Sequence, residues 1–131
     1  MKLKIEFFNK DLIDAIGSGV YDISIEANGK TKSLYIGESV FVLVRCAAHL
    51  YEFKKNPEYF GFDNENINND SIIFKFSLVE AIYNKSDRKK REGVEISRCE
   101  PLSQSGINDR MKDIESKIIA LREFLDNSEE N

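Results

Sequence analysis

Tryptophan is absent from this sequence, histidine occurs once, at His49, and proline and cysteine occur twice each. Cys46 and Cys99 have no neighbour at zinc-ligand spacing and are too few for a disulfide framework. That excludes zinc-ribbon and disulfide-stapled classes and makes a reduced, cytoplasmic setting the expectation. No long apolar run is present: Val40–Val44 is far too short to cross a bilayer. Met1–Glu6 lacks the charged-then-apolar pattern of a signal peptide, so no membrane partner is expected. The chain also lacks the basic surplus usual in nucleic-acid binders, with 19 Lys and Arg against 23 Asp and Glu, a net charge of −4.

Distribution matters more than the total. Lys85, Arg88, Lys89, Lys90 and Arg91 share one seven-residue window with a single acid, Asp87, while much of the compensating acid lies in 63–70 and at Glu129–Glu130. Such a window is either a solvated helix face or an electrostatic guide for a phosphate backbone.

What is present suits one folded domain over 1–131: 131 residues, 41% hydrophobic and 32% charged, without internal repeats. Met1–Phe8 alternates apolar Leu3, Ile5 and Phe7 with charged residues, the period of a half-buried strand. Asn9–Ile16 carries Leu12, Ile13 and Ile16 at helical spacing and predicts a short helix. Gly19–Glu26 alternates again, and Asn28-Gly29 predicts a tight hairpin into a returning strand at Ser33–Gly37. Val40–Phe53 reads as a largely buried helix capped by Ser39, and Lys54–Ser71 as a long surface loop. Ile72–Val79 is a strong strand pattern and Ser86–Arg98 a helix flawed by Gly93.

Ile107, Met111, Ile114, Ile118, Leu121 and Leu125 step by 4, 3, 4, 3 and 4, a heptad seam. The seam either packs within the chain or joins two copies as a homodimer through the 107–125 helix.

Four features occur in a fixed order. Gly19-Val20-Tyr21 opens one strand of the hairpin region and Leu34-Tyr35-Ile36-Gly37 closes the other. Arg45 and His49 follow at i,i+4 spacing, which puts them on one helix face. Glu92 is followed by Ile96 four residues on, Pro101 nine on and Gln104 twelve on. Together these resemble the GIY-YIG nuclease superfamily, with Val20 in place of the first Ile, over roughly 17–104. The resemblance implies an α+β fold: a small three-stranded antiparallel sheet flanked by helices, here with a C-terminal amphipathic helix and tail over 105–131. Four departures stand against the family pattern. The signature tyrosines are 35 − 21 = 14 apart, on the long side; Glu38 stands where a Lys is frequent; Lys54–Ser71 resembles an insertion; and Gln104 replaces the usual Asn.

The resemblance implies a metal-dependent endonuclease that hydrolyses phosphodiester bonds in DNA, double-stranded or branched. Glu92 would bind Mg²⁺ or Mn²⁺, ions that keep much of their hydration shell and need few protein ligands. Arg45 offers a planar charged fork matched to phosphate oxygens. By the same resemblance Tyr21 is the general base, Tyr35 orients the water or the scissile phosphate, and His49 positions groups or shuttles a proton. A free phenol has a pKa near ~10, so Tyr21 needs nearby positive charge or a proton relay. Lys85, Arg88, Lys89, Lys90, Arg91 and Gln104 are the expected nucleic-acid contacts. The alternative is a GIY-YIG-like module that binds nucleic acid or protein without cutting.

Overall fold

Asn28 and Gly29 turn the chain through left-handed backbone, with φ of 54° and 78°. A two-residue hairpin requires positive φ at both positions, and in this computed structural model Ala27 pairs directly with Lys30 across it. The structure describes residues 1–104 and 114–129. In chain order it forms β1 (Lys4–Phe7), β2 (Gly19–Ala27), β3 (Lys30–Ser39), α1 (Val42–Lys55), β4 (Ile73–Ala81), α2 (Lys85–Cys99) and α3 (Ile114–Glu129). Short 3₁₀ turns at Pro57–Phe60 and Asn66–Asn68 lie between α1 and β4.

The protein is α+β, but its sheet has four strands, not three, and is mixed. The order is β1-β4-β2-β3; β1 runs parallel to β4, and the other pairs are antiparallel. The alternation of 1–8 marks a strand but cannot specify a partner. That partner is β4, with Lys4 beside Ile73 and Phe7 beside Phe76.

Two other expectations are corrected. Residues 9–16 form turns, not a helix, and Leu12, Ile13 and Ile16 are exposed. Carbonyls at the end of this segment and just after it serve a neighbour instead: those of Ala15 and Gly17 accept from the N–H groups of Leu43 and Val42. The first turn of a helix has free donors, and α1 begins without a side-chain cap. The 54–71 stretch is not a surface loop, because Tyr59, Phe60, Phe62 and Asn66 are buried. Its aromatic rings supply the packing that its polar punctuation concealed.

One apolar cluster runs from Leu3 to Leu121. At its centre the Phe74 ring lies 4.6 Å from Phe53, 5.1 Å from Phe62 and 5.0 Å from Phe76, centroid to centroid. Each such burial is worth roughly 2–3 kcal/mol. Leu121 of α3 is buried in this cluster, with Phe124 and Leu125 packed against it, so the seam positions Leu121 and Leu125 pack within the chain. Ile107 and Met111 lie outside the described residues. Among the described residues no helix is long and apolar enough to cross a membrane.

The opposite face of the sheet carries α2, a helix held largely by ion pairs. Arg88 bonds Glu38 of β3, Arg91 bonds Glu80 of β4, and Glu95 accepts from both Arg91 and Arg98. Those last bonds, Arg98's first, hold the Glu95 carboxyl down to about 2 despite burial. Asn84 caps the helix by accepting from the Asp87 N–H at 3.1 Å.

Candidate functional site

The two signature glycines are explained by close backbone approach. A Cβ built on Gly37 would lie 2.5 Å from Cζ of Tyr21 and 3.0 Å from Cε2 of Tyr35, with the Tyr21 hydroxyl closer still. The phenol of β2 therefore lies across β3 at the one residue without a side chain. At Gly19 a Cβ would meet the carbonyl oxygen of Glu80 at 2.6 Å, beside a register shift between β2 and β4. A second shift, between Ile23 and Ser24, leaves Leu34 as an extra residue on β3 immediately before Tyr35. Bulges of this kind re-aim neighbouring side chains.

On that face α1 presents Arg45 and His49, one turn apart. The Tyr21 hydroxyl and Nε2 of His49 are 3.0 Å apart and buried. Burial, aided by the Arg45 guanidinium, lowers the His49 pKa to about 4, so the ring is neutral at pH 7. A neutral ring carrying its proton on Nδ1 accepts the phenol's hydrogen at Nε2. Burial raises the Tyr21 pKa, with Tyr35 and Cys46 adding to it; the nearby Arg45 guanidinium opposes the shift. The Tyr35 ring is 5.3 Å from His49 and 6.2 Å from Tyr21, between centroids. Burial raises its pKa too; Arg45 opposes this and the Glu92 carboxylate reinforces it.

Glu92 joins the group from α2. Its carboxylate lies near the backbone of Glu38, which helps to lower a pKa that burial raises. Glu38 belongs to β3, the edge strand, where alternate backbone groups have no strand partner. Two residues earlier on that edge, the Ile36 N–H donates to Oε1 of Gln104 at 2.8 Å, and Nε2 of Gln104 donates to the Ile36 carbonyl at 2.9 Å. Gln104 thus occupies an outward position of the edge strand. Gln104 acts here as a clasp that fixes the strand between Tyr35 and Gly37.

The basic window divides. Arg88, only 3% exposed, turns inward: it donates to Glu38 at 2.8 Å and to the Tyr83 carbonyl. Lys89 reaches the other oxygen of Glu38 at 3.2 Å and lies close enough to Glu92 and Tyr35 for each to raise its pKa. Arg91 is engaged by Glu80 and Glu95. Lys85 and Lys90 are exposed.

The sequence reading missed Glu38, which burial would push up but which the bonds from Arg88 and Lys89 bring below the ordinary carboxylate range. It stands where the resemblance leads one to look for a lysine, and it holds Lys89 beside the site from the neighbouring helix. An acid three residues after a tyrosine on the edge strand, facing a basic window, was the available signal.

No family model, curated protein or solved structure matches this chain.

Glu92 offers one hard oxygen donor group, with Lys89 beside it. Burial raises the Glu92 pKa and the Glu38 carboxylate adds to it, with Lys89 opposing, so a cation there would relieve a penalised negative charge. Among the described residues no group of three or more His, Cys, Asp and Glu side chains is placed to hold a metal. An ion at Glu92 would therefore take its remaining ligands from water and substrate oxygens, as Mg²⁺ commonly does.

Proposed function

We propose that the chain is a metal-dependent endonuclease of GIY-YIG type that hydrolyses phosphodiester bonds in DNA. The observation that supports it is the convergence of Tyr21, Tyr35, Arg45, His49 and Glu92, carried by β2, β3, α1 and α2, on one edge of the sheet. In this reading His49 answers the difficulty of a buried phenol acting as base. A neutral imidazole takes the Tyr21 proton as Tyr21 takes one from the attacking water, so no free phenolate is needed. Arg45 binds the scissile phosphate and offsets the charge that grows on it. Lys89, held by Glu38, adds a second cation on the strand side. Mg²⁺ or Mn²⁺, held by Glu92, would polarise the phosphate and lower the pKa of a bound water.

Purified protein incubated with plasmid and branched DNA in Mg²⁺ or Mn²⁺, beside a Glu92→Ala control, tests this. Metal-dependent nicking lost in the variant supports the enzyme. One observation favours the second reading, a binding module that does not cut: Tyr21 is only 1% exposed. Binding without cleavage of any substrate would select it.

A further inference from the structure

Beside the candidate site the surface opens into a cleft of about 670 Å³ whose lining includes Val40, Phe41, Tyr83, Lys85 and Arg88. Its composition is unusual for this molecule. In a chain with a net charge of −4, no acidic residue lines the cleft. Phe41 is 59% exposed and Tyr83 94%, with Val40 exposed between strand β3 and helix α1. Exposed apolar groups gathered around a concavity and bordered by cations mark a binding surface.

The cleft adjoins the segments that carry the candidate group. Phe41 precedes Arg45 by four residues and His49 by eight, and its carbonyl accepts the Arg45 N–H at 3.0 Å. Phe41 is thus the residue immediately before α1, on which Arg45 and His49 lie one turn apart. On α2, Lys85, Lys89 and Glu92 follow at spacings of four and three, a stripe from the cleft to the carboxylate. Arg88, bonded to the carbonyl of Tyr83, ties the helix start to the loop that carries that ring.

Resting on the nuclease reading, we propose that this cleft binds an unpaired nucleotide next to the scissile phosphate, its base stacked on Phe41 and Tyr83 and its phosphate met by Lys85. The substrate class is then DNA containing an extruded or single-stranded base: a bulge, a flap or a strand end. Bases inside an intact duplex offer no open face to an aromatic ring, whereas an unpaired base does. Stacking is tolerant of base identity, so the cleft selects strand structure and not sequence.

The test is fluorescence anisotropy without divalent metal, using four labelled DNAs: a blunt duplex, a single strand, the duplex with one bulged adenine, and the same bulge made abasic. The bulged adenine should bind about tenfold more tightly than the blunt duplex or the abasic bulge. Phe41→Ala and Tyr83→Ala should each remove most of that difference, and Phe41→Trp should keep it. Both side chains are largely exposed, so the variants should melt with the parent protein, a control read by circular dichroism. Equal binding of adenine and abasic bulges, or a preference untouched by both alanine variants, overturns the proposal. That result leaves the nuclease reading standing if metal-dependent cleavage is seen. A cleft that serves a protein partner gives the same untouched result. Binding to none of the four DNAs, with no cleavage, removes both.

Discussion

The Tyr21 hydroxyl lies 3.0 Å from Nε2 of His49, and both side chains are almost fully buried. The only histidine of the chain is thus spent on a phenol, in a place where burial and Arg45 keep the imidazole neutral. A surface imidazole could not serve as an uncharged acceptor over the same pH range.

Cleavage should therefore stay active below the pH at which an exposed histidine protonates. With the His49 pKa near about 4, the acid limb should fall below about pH 5, not near ~6.5. His49→Ala should slow the reaction by roughly 10²–10⁴-fold. A pH–rate profile of single-turnover cleavage checks both; an acid limb centred near ~6.5 would remove the buried acceptor. Stability carries the same sign. Because the folded pKa is depressed, the contribution of a neutral His49 is complete above ~6.5 and is lost as pH falls through about 4.

Asp22 should behave oppositely. One of its oxygens accepts from Ser33 at 3.0 Å and the other, buried, has no hydrogen-bond partner among the described residues. Burial raises its pKa to about 6, partly offset by Ser33 and reinforced by Glu95. A raised carboxyl stabilises the fold below its unfolded value, and that benefit is lost as pH rises through about 6. Asp22→Asn should therefore stabilise the protein by on the order of 1–3 kcal/mol at pH 8 and by little at pH 4. Urea unfolding at the two pH values measures it; an equal effect at both contradicts it.

Gly37→Ala should damage both stability and chemistry, since its Cβ would occupy the place of the Tyr21 phenol. A cost of roughly 1–3 kcal/mol is expected from overpacking, together with loss of the Tyr21–His49 contact. Thermal melts and the tyrosine hydroxyl resonance in NMR report the two effects separately. A variant with parental stability would show that the strand yields readily.

Glu38→Lys installs the residue type suggested by resemblance, yet it should not help. Arg88 is almost fully buried against Glu38, and a lysine there would leave a buried guanidinium facing a second cation. The expected loss is about 3–5 kcal/mol. Glu38→Gln, which keeps an acceptor, should cost less, and chemical denaturation of both variants ranks them. A Lys variant as stable as the parent contradicts the role assigned to this pair.

Much of the hairpin and of α1, β4 and α2 was legible because period and turn chemistry act locally: Asn28-Gly29 permits one kind of turn, and Phe74 and Phe76 alternate as a buried strand must. What remained hidden depends on partners distant in sequence. The pairing of β1 with β4 leaves no local mark. The helical spacing of Leu12, Ile13 and Ile16 was overridden because their segment supplies carbonyls to the start of α1. Asparagine and proline in 54–71 suggested an open loop, while Tyr59, Phe60 and Phe62 drew it into the core. At the site, the proposed set Tyr21, Tyr35, Arg45, His49 and Glu92 rests on a family resemblance in order and spacing. Glu38, Phe41 and Tyr83 were not legible, because one is explained only by Arg88 and Lys89 across the strand, and the others only by the cleft they border.

The most direct measurement is the single-turnover rate of DNA strand cleavage in Mg²⁺ by the parent protein and by Glu92→Gln, which keeps the side chain's size and removes its charge. Cleavage that needs the metal, with a rate lower by about a thousandfold or more in the variant, is the predicted result. Equal rates in the two proteins, or no metal-dependent cleavage by the parent on plasmid, branched or bulged DNA, would contradict it.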